Sequence, residues 1–175
     1  HGSGPAVMLI HGYTESKEIW FPMAEILGQK YTVIMPDLPG HGNSEVIENL
    51  SMEIMAKLMD VLADKLQLER FSMIGHSMGG YVTACYAALN EHRLNGFGFF
   101  HSSARGDTAE GRANRERVMD IIEKDHGDSF INMFVPDLFF EGNRERLADE
   151  IKTLQMRALK ISKQALIESQ KAMAA

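Results

Sequence analysis

Four short apolar segments, bounded by glycine, proline or polar residues, constrain the fold of this chain more than any other feature of its sequence. They lie at residues 6–10, 31–35, 71–74 and 97–100. Helical patterns separate them, and the clearest follows Ser51, where apolar residues recur at three- and four-residue spacing. Strands that alternate with helices in this way predict right-handed βαβ units. We therefore predict an α/β fold with a parallel sheet flanked by helices.

The segment from residue 108 onward differs, because it contains no strand-like run and has a helical pattern to its end. We predict three or four helices there. Periodicity leaves two interpretations open, a cap over the carboxyl edge of the sheet or the outer helical layer of the domain. We assign residues 1–107 to a sheet core and residues 108–175 to a helical cap. The predicted helix breaks are Gly127, Pro136 and Gly142, and the predicted N-caps are Thr108, Asn143 and Ser162.

Composition and charge disfavour several classes of function. The 175 residues carry a formal net charge of -6 at pH 7, which disfavours nucleic acids and anionic membranes as partners. No apolar run approaches the ~20 residues of a membrane helix, and Cys85 is the single cysteine, so no disulfide framework is expected. We therefore expect a cytoplasmic location and a small neutral or weakly charged ligand. Neither metal-ligand spacing nor a G-x-G-x-x-G loop occurs, so no metal or cofactor is predicted.

The pentapeptide at residues 75–79 is the motif most directly linked to chemistry. It has the pattern G-x-S-x-G between a predicted strand and a predicted helix, the context in which such a serine is a nucleophile. The glycines permit a turn too tight for side chains, and the helix amino terminus offers N–H groups to a developing negative charge. The alternative is a glycine-rich turn with an ordinary serine cap. The context favours a nucleophile elbow formed by Gly75, His76, Ser77, Met78 and Gly79.

A second backbone donor is expected in the segment His11-Gly12-Tyr13, directly after the first strand. Acyl-transfer enzymes place two N–H groups around the oxyanion that develops during the reaction. We therefore predict that the N–H groups of Tyr13 and Met78 form an oxyanion hole. The side chain of His11 is interpreted as structural, satisfied by backbone groups of the turn.

Three motifs in a fixed order resemble the core of the α/β-hydrolase superfamily: VMLIHGYTES, VIMPDLPGHGNS and FSMIGHSMGG, between Val7 and Gly80. They are similar to the esterase-like branch with a serine nucleophile and a helical cap. The resemblance implies a serine hydrolase that acts on a carboxylic ester or related acyl bond through an acyl-enzyme, with Ser77 as nucleophile. It also implies a structural role for His41. Aspartate-nucleophile members, the dehalogenases and epoxide hydrolases, are disfavoured because position 77 is serine.

The C-terminal segment departs from that family pattern. In the family an acid and then a histidine follow the serine along the chain, and neither motif is found there. His126 is interpreted as a solvent-facing helix end, and Asp107 as a cap or loop residue rather than a relocated acid. His101 and His76 are the other candidate bases, although His76 adjoins the serine and is better interpreted as a wall of the substrate pocket.

The missing acid and histidine lead us to expect that this chain is a fragment of a longer protein. The parent protein would then be the hydrolase, and the chain alone would be inactive, because loss of a triad partner costs orders of magnitude in rate. Open sheet edges would favour a homo-oligomer. The alternative is a non-catalytic module that holds a small apolar ligand in the same pocket.

Methionine and phenylalanine side chains cluster in the predicted cap, and they suit a flexible apolar substrate because methionine adapts its shape at low cost. The alternative is that they only pack the helices together. Phe134, Phe139 and His76 are the candidate pocket residues. Four arginines around the boundary between the core and the cap are interpreted as a solvated, ion-paired face: Arg105, Arg112, Arg115 and Arg117.

Overall fold

The computed structural model describes all 175 residues, His1–Ala175. Its centre is a sheet of four strands in the spatial order β2-β1-β3-β4. All three strand pairings are parallel. Each apolar segment of the sequence forms one of these strands, which confirms the predicted α/β fold class. The strands are β1 (Ala6–Ile10), β2 (Thr32–Ile34), β3 (Phe71–His76) and β4 (Leu94–Phe100).

Strand β1 is buried on both faces because helices cover the sheet from either side. Val7 and Leu9 pack with Trp20 in a small cluster, whereas Met8 and Ile10 belong to the main core. This alternation follows from the two-residue period of a strand. The helices that complete this part of the chain are α1 (Phe21–Leu27), α2 (Met52–Lys65) and α3 (Met78–Asn90).

Local sequence signals account for where α1 and α2 begin. The hydroxyl of Ser51 accepts a hydrogen bond from Ile54 N–H at 3.2 Å and caps α2. Pro22 lies in the first turn of α1, where its missing N–H costs nothing. The predicted apolar stripe of α2 is buried at Met55 and Met59, so this helix packs on the sheet as the periodicity indicated.

The remaining residues form four helices, the larger of the two predicted numbers: α4 (Ala109–Glu123), α5 (Gly127–Asp137), α6 (Ala148–Ala158) and α7 (Lys163–Ala174). The predicted caps at Thr108 and Ser162 are confirmed, because their hydroxyls accept backbone hydrogen bonds at 3.1 and 3.2 Å. The predicted cap at Asn143 is wrong. That residue ends a short 3-10 turn (Glu141–Asn143), and α6 begins only after Leu147. None of the helices has the length and apolarity needed to cross a lipid bilayer.

The predicted helix breaks fall in three different positions. Gly127 is the first residue of α5, and Gly142 lies in the turn between α5 and α6. Pro136 lies inside the last turn of α5, which ends at Asp137. Proline therefore ends this helix rather than separating two others, since it cannot supply the N–H that would continue the ladder.

Helix α7 joins the helical half of the chain (residues 108–175) to the sheet half (residues 1–107). Leu166 and Met173 belong to the main core. Glu168 Oε2 accepts a hydrogen bond from Leu50 N–H at 3.2 Å. Gln170 is also buried, and its partner lies on α4, as described below. Both apolar and polar contacts therefore fix the helical half against the sheet.

Candidate active site

Ser77 occupies the turn between β3 and α3 in a strained backbone conformation, with φ 49° and ψ −117°. Side-chain-bearing residues rarely adopt positive φ, and such strain concentrates at functional sites. A Cβ atom on Gly75 would collide with the carbonyl oxygen of Gly79, and one on Gly79 would lie 2.5 Å from the carbonyl oxygen of Ile10. The close approach of these backbones is the physical reason for the two glycines of the motif.

Two hydrogen bonds fix the Ser77 backbone on the side of β4. Ser77 N–H donates to the carbonyl oxygen of Phe100 at 3.1 Å, and the Ser102 hydroxyl donates to the carbonyl oxygen of Ser77 at 2.7 Å. Gly80 packs against Ser102, because a Cβ atom on Gly80 would collide with Ser102 Oγ. The elbow is therefore held by its neighbours along β4 as well as by its own turn.

The segment after β1 lies directly beside the elbow. A Cβ atom on Gly12 would stand 3.0 Å from Ser77 Cβ, so the two loops are in van der Waals contact. Tyr13 and Met78, which follow these residues, are both buried. Neither Tyr13 N–H nor Met78 N–H donates to a backbone acceptor among the hydrogen bonds of turns and loops. Two backbone donors are thus unengaged next to one serine.

His11 and His41 are fully buried and support these loops. His11 Nδ1 lies 2.8 Å from the carbonyl oxygen of Gly12, and its Nε2 accepts the N–H of Leu38 at 2.9 Å. Burial, reinforced by the neighbouring His41, lowers the pKa of His11 to about 3, so the ring is neutral. Burial also lowers the pKa of His41, whose Nδ1 lies 3.0 Å from the carbonyl oxygen of Pro39.

A cavity of about 540 Å³ lies between the two halves of the chain, and Ser77 and Tyr13 form part of its wall. The helical half contributes an apolar side formed by Phe130, Met133 and Phe134. The rings of Phe130 and Phe134 stack with their centroids 5.1 Å apart. Among the candidate pocket residues, Phe134 lines the cavity, whereas Phe139 and His76 do not.

The polar lining of the cavity includes Asp107, Arg115 and Gln170. Arg115 forms an ion pair with Asp107 through Nε and donates to Gln170 Oε1 at 3.2 Å. The expected ion pairing is confirmed for Arg115, but the expected exposure to solvent is wrong, because its side chain is only 17% exposed. The reason is that α4 packs against α7, which buries the Arg115 side of α4. Sequence analysis also missed Gln170, which has no motif to mark it.

No histidine lines the cavity that contains Ser77. His126 is exposed at the start of α5, as expected, and His101 is exposed after β4. The ring of His76 turns away toward Glu15 and stands edge-on to Trp20, with centroids 6.4 Å apart. The structure also contains no group of three or more histidine, cysteine or acidic residues that could bind a metal ion.

Glu15 is a buried residue of the site that sequence analysis did not identify. Its Oε2 accepts the N–H of Gly12 at 2.6 Å and lies 2.8 Å from His76 Nδ1. The residue is 6% exposed, which is unusual for a carboxylate. The burial of Glu15 could not be predicted from its position in a loop after a strand, because glutamates in loops are usually solvated.

Comparisons with a family model, with solved structures and with related sequences all indicate the same family. A family model described as alpha/beta hydrolase fold matches residues 5–120. A thermophilic esterase from Thermogutta terrifontis superimposes with a TM-score of 0.92 and 30% identity, covering 99% of this chain and 64% of that chain. A fluoroacetate dehalogenase from a Burkholderia species is 38% identical over 85 residues, which is 45% of this chain and 28% of that protein. A pimeloyl-[acyl-carrier protein] methyl ester esterase from Nitrosomonas europaea is 33% identical over 93 residues, which is 53% of this chain and 35% of that protein.

The matched segments therefore make up about a third or less of the two curated relatives, and the chain spans about two thirds of the esterase structure. The family match covers more than half of the chain and includes both loops that meet at Ser77. The chain belongs to the α/β-hydrolase fold family.

Proposed function

We propose that this chain supplies the nucleophile and the oxyanion hole of a serine hydrolase that acts on a carboxylic ester or related acyl bond. The observation that carries the proposal is a strained serine in the wall of a cavity that Tyr13 also lines, with the unengaged N–H groups of Tyr13 and Met78 in the two loops that meet at this serine. The esterases among the similar proteins support an ester as the substrate class. The likeness to a dehalogenase does not extend to that activity, because position 77 holds serine rather than aspartate.

In the proposed mechanism Ser77 Oγ attacks the ester carbonyl carbon while its proton passes to a base. The carbonyl oxygen becomes an oxyanion that accepts hydrogen bonds from Tyr13 N–H and Met78 N–H, and each such donor typically contributes about 10²–10³ in kcat. The carbon–oxygen bond to the alcohol then breaks, the alcohol leaves with the proton from the base, and the acyl group remains on Ser77. Water, deprotonated by the same base, then attacks the acyl carbon, and the base returns this proton to Ser77 Oγ as the bond to the serine breaks and the carboxylic acid leaves.

The base and the acid that orients it are proposed to lie outside these 175 residues. Two observations at the site support this proposal: no histidine lines the cavity, and the His76 ring contacts Glu15. Asp107 is engaged as well, in its ion pair with Arg115. A serine without a base is a weak nucleophile, so we expect the chain alone to be inactive.

Helices α4, α5 and α7 are proposed to act as a cap that shapes the substrate pocket. Phe130 and Phe134 also contact the ring of Tyr13, with centroids 6.5 and 6.0 Å apart. This apolar wall would bind the hydrocarbon part of the substrate. The opposite wall carries Arg115 and Asp107 as a pair whose charges compensate each other, which favours a neutral substrate over an anion.

Labelling with a fluorophosphonate probe, monitored by intact mass, tests the proposal. The probe is applied to the 175-residue chain and to the protein encoded by the complete gene, each as wild type, Ser77→Ala and Ser103→Ala. Ser103 is an exposed serine after β4 and serves as the matched control. We expect labelling of the complete protein alone, abolished by Ser77→Ala and retained in Ser103→Ala. Labelling of the 175-residue chain at Ser77 would contradict the proposal that the base lies outside these residues. His101 or His126 would then become the candidate base.

The second candidate function is a non-catalytic module that binds a small apolar ligand in the same cavity. The observation that favours it is the absence of histidine from the cavity wall. It predicts that no form of the protein is labelled at Ser77. An apolar fluorescent probe should bind to the wild-type protein, and the Phe134→Ala variant should bind it more weakly. Labelling of the complete protein at Ser77 would exclude it.

Association through open sheet edges is also proposed for the isolated chain. The outer strands β2 and β4 each pair on one side only, and β4 exposes Phe97, Phe99 and Phe100 by 54%, 37% and 47%. Unprotected edges and exposed aromatic side chains promote pairing between chains. We expect a concentration-dependent dimer by analytical ultracentrifugation that Phe97→Lys weakens, whereas a monomer at all concentrations would contradict the proposal.

A further inference from the structure

The buried carboxylate of Glu15 contacts residues near the two proposed oxyanion donors, and the proposed mechanism does not use it. Glu15 accepts the N–H of Gly12 at 2.6 Å, and the same oxygen lies 2.8 Å from His76 Nδ1. His76 is its only ion-pair partner, since no lysine or arginine reaches it. A buried carboxylate has a high desolvation cost unless hydrogen bonds stabilise it. Its two donors therefore account for its place in the interior.

These two donors belong to different segments of the chain. Gly12 precedes Tyr13 in the loop after β1, and His76 precedes Ser77 at the end of β3. Backbone pairing between the two strands ends at Ile10 and Gly75. Beyond that point no backbone hydrogen bond joins the loops to each other. One oxygen of Glu15 is thus the polar link between the segments that carry the two N–H groups.

The contact is tightly defined in space. A Cβ atom on Gly12 would stand 2.8 Å from Glu15 Oε2, 3.0 Å from Ser77 Cβ and 3.1 Å from His76 Nδ1. There is no room for a side chain at Gly12, so Glu15 Oε2, Ser77 and His76 meet at one point of this loop. On the opposite side Ser77 is already fixed to β4 by the bonds of its N–H and carbonyl group.

We propose that Glu15 is a positioning residue, whose carboxylate bridges Gly12 N–H and the His76 ring and thereby fixes the distance between the Tyr13 and Met78 N–H groups. The inference rests on the proposed function, because the distance matters only if these groups bind an oxyanion. Hydrogen bonds to an ionised acceptor are shorter and about twice as strong as neutral ones. The low dielectric of the interior strengthens them further.

Kinetics of the protein encoded by the complete gene test this role. The variants are Glu15→Ala, Glu15→Gln and the control Glu18→Ala, which removes a carboxylate that is 39% exposed in the same segment. We expect Glu15→Ala to lower kcat by about 100-fold, the scale of a 1 Å misplacement, with KM unchanged. The rate of fluorophosphonate labelling should fall in parallel, because the phosphonyl oxygen occupies the same hole. Glu15→Gln should recover part of the rate, since its amide oxygen can accept the Gly12 N–H.

A purely structural role gives a different result. It would lower Tm and the fraction of active protein, but it would leave kcat per site unchanged when active sites are counted by titration with the probe. Unchanged kcat per site in Glu15→Ala, in a protein that Ser77→Ala inactivates, would overturn the inference. Activity that survives Ser77→Ala would instead overturn the proposed function, so the two failures are distinguishable.

Amide NMR spectra of the 175-residue chain test the bridge without any reaction. We expect Glu15→Ala to move the resonances of Gly12 and Tyr13 and, across the bridge, that of Met78. Glu18→Ala should leave all three unchanged. A Met78 resonance that does not move in Glu15→Ala would mean that the carboxylate does not link the loops, and it would overturn the inference even if the chain is inactive.

Discussion

The two halves of the chain fix their parts of the site by different physical means. In the sheet half, Gly75 and Gly79 on either side of Ser77 lie against backbones that approach too closely to admit a side chain. Arg115 of the helical half reaches Gln170 on α7 and Asp107, the last residue of the sheet half, through a long side chain. Backbone contacts have almost no freedom to adjust, whereas long side chains can change rotamer. The sheet half should therefore tolerate substitution less well at the site than the helical half does.

The largest expected effect comes from Gly79→Ala. The added methyl group would lie 2.5 Å from Ile10 O and 2.6 Å from His11 O, which are backbone atoms that cannot move independently. Helix propensity alone would make this change stabilising by up to about 1 kcal/mol. Overpacking costs about 3 kcal/mol or more in such a site, so we expect net destabilisation in urea unfolding monitored by circular dichroism.

Gly96→Ala is the matched control for this substitution. Gly96 lies in β4, and a Cβ atom added there meets nothing within 4 Å. Its unfolding free energy should stay within about 0.5 kcal/mol of wild type. Equal stability of the two variants would mean that the elbow can relax, and the contrast between a rigid sheet half and an adjustable helical half would fail.

The same contrast explains how much could be predicted from the sequence. The strands and the elbow at Ser77 follow from short apolar runs and glycines, which act over a few residues. The contacts of Arg115 with Gln170 and of Glu15 with His76 join residues 55 and 61 positions apart. No local pattern encodes such pairs, because they depend on how α4 packs on α7 and how two loops meet. The roles of Ser77, Tyr13 and Met78 in catalysis remain predictions.

A smaller effect is expected from Arg115→Met in the helical half. The change keeps an unbranched chain but leaves Asp107, whose side chain is 13% exposed, without its partner. Breaking a fully buried pair typically costs about 3–5 kcal/mol. Because this pair retains some solvent contact, we expect a loss of about 2 kcal/mol in the free energy of unfolding, measured with urea.

Lys124→Met provides the comparison, because it removes the pair with Asp120, whose side chains are 65% and 58% exposed. An exposed pair of this spacing contributes about 0.3–0.5 kcal/mol. Converting Asp107 to asparagine in the Arg115→Met background should restore part of the lost stability, since no unpaired charge remains. A loss in Arg115→Met no larger than in Lys124→Met would show that the helical half does not depend on this pair.

The last expected effect is the dependence of stability on pH, which we assign to His11 in the sheet half. Burial lowers its pKa from 6.5 to about 3 in the folded protein, whereas the exposed imidazole of the unfolded chain binds a proton below about pH 6.5. The unfolded state therefore binds more protons between these values. The contribution of His11 to the free energy of unfolding is fully present above pH 6.5. It falls as the pH decreases below this value, by at most about 1.4 kcal/mol per pH unit.

His11→Asn isolates this contribution from that of the other titrating groups. Its stability at pH 7 should be lower than that of wild type, because Leu38 N–H loses its acceptor, Nε2. Its dependence on pH between 6 and 4 should nevertheless be shallower by about one proton. A His11→Asn slope equal to that of wild type would mean that the acid sensitivity arises elsewhere and that burial does not keep His11 neutral in the folded protein.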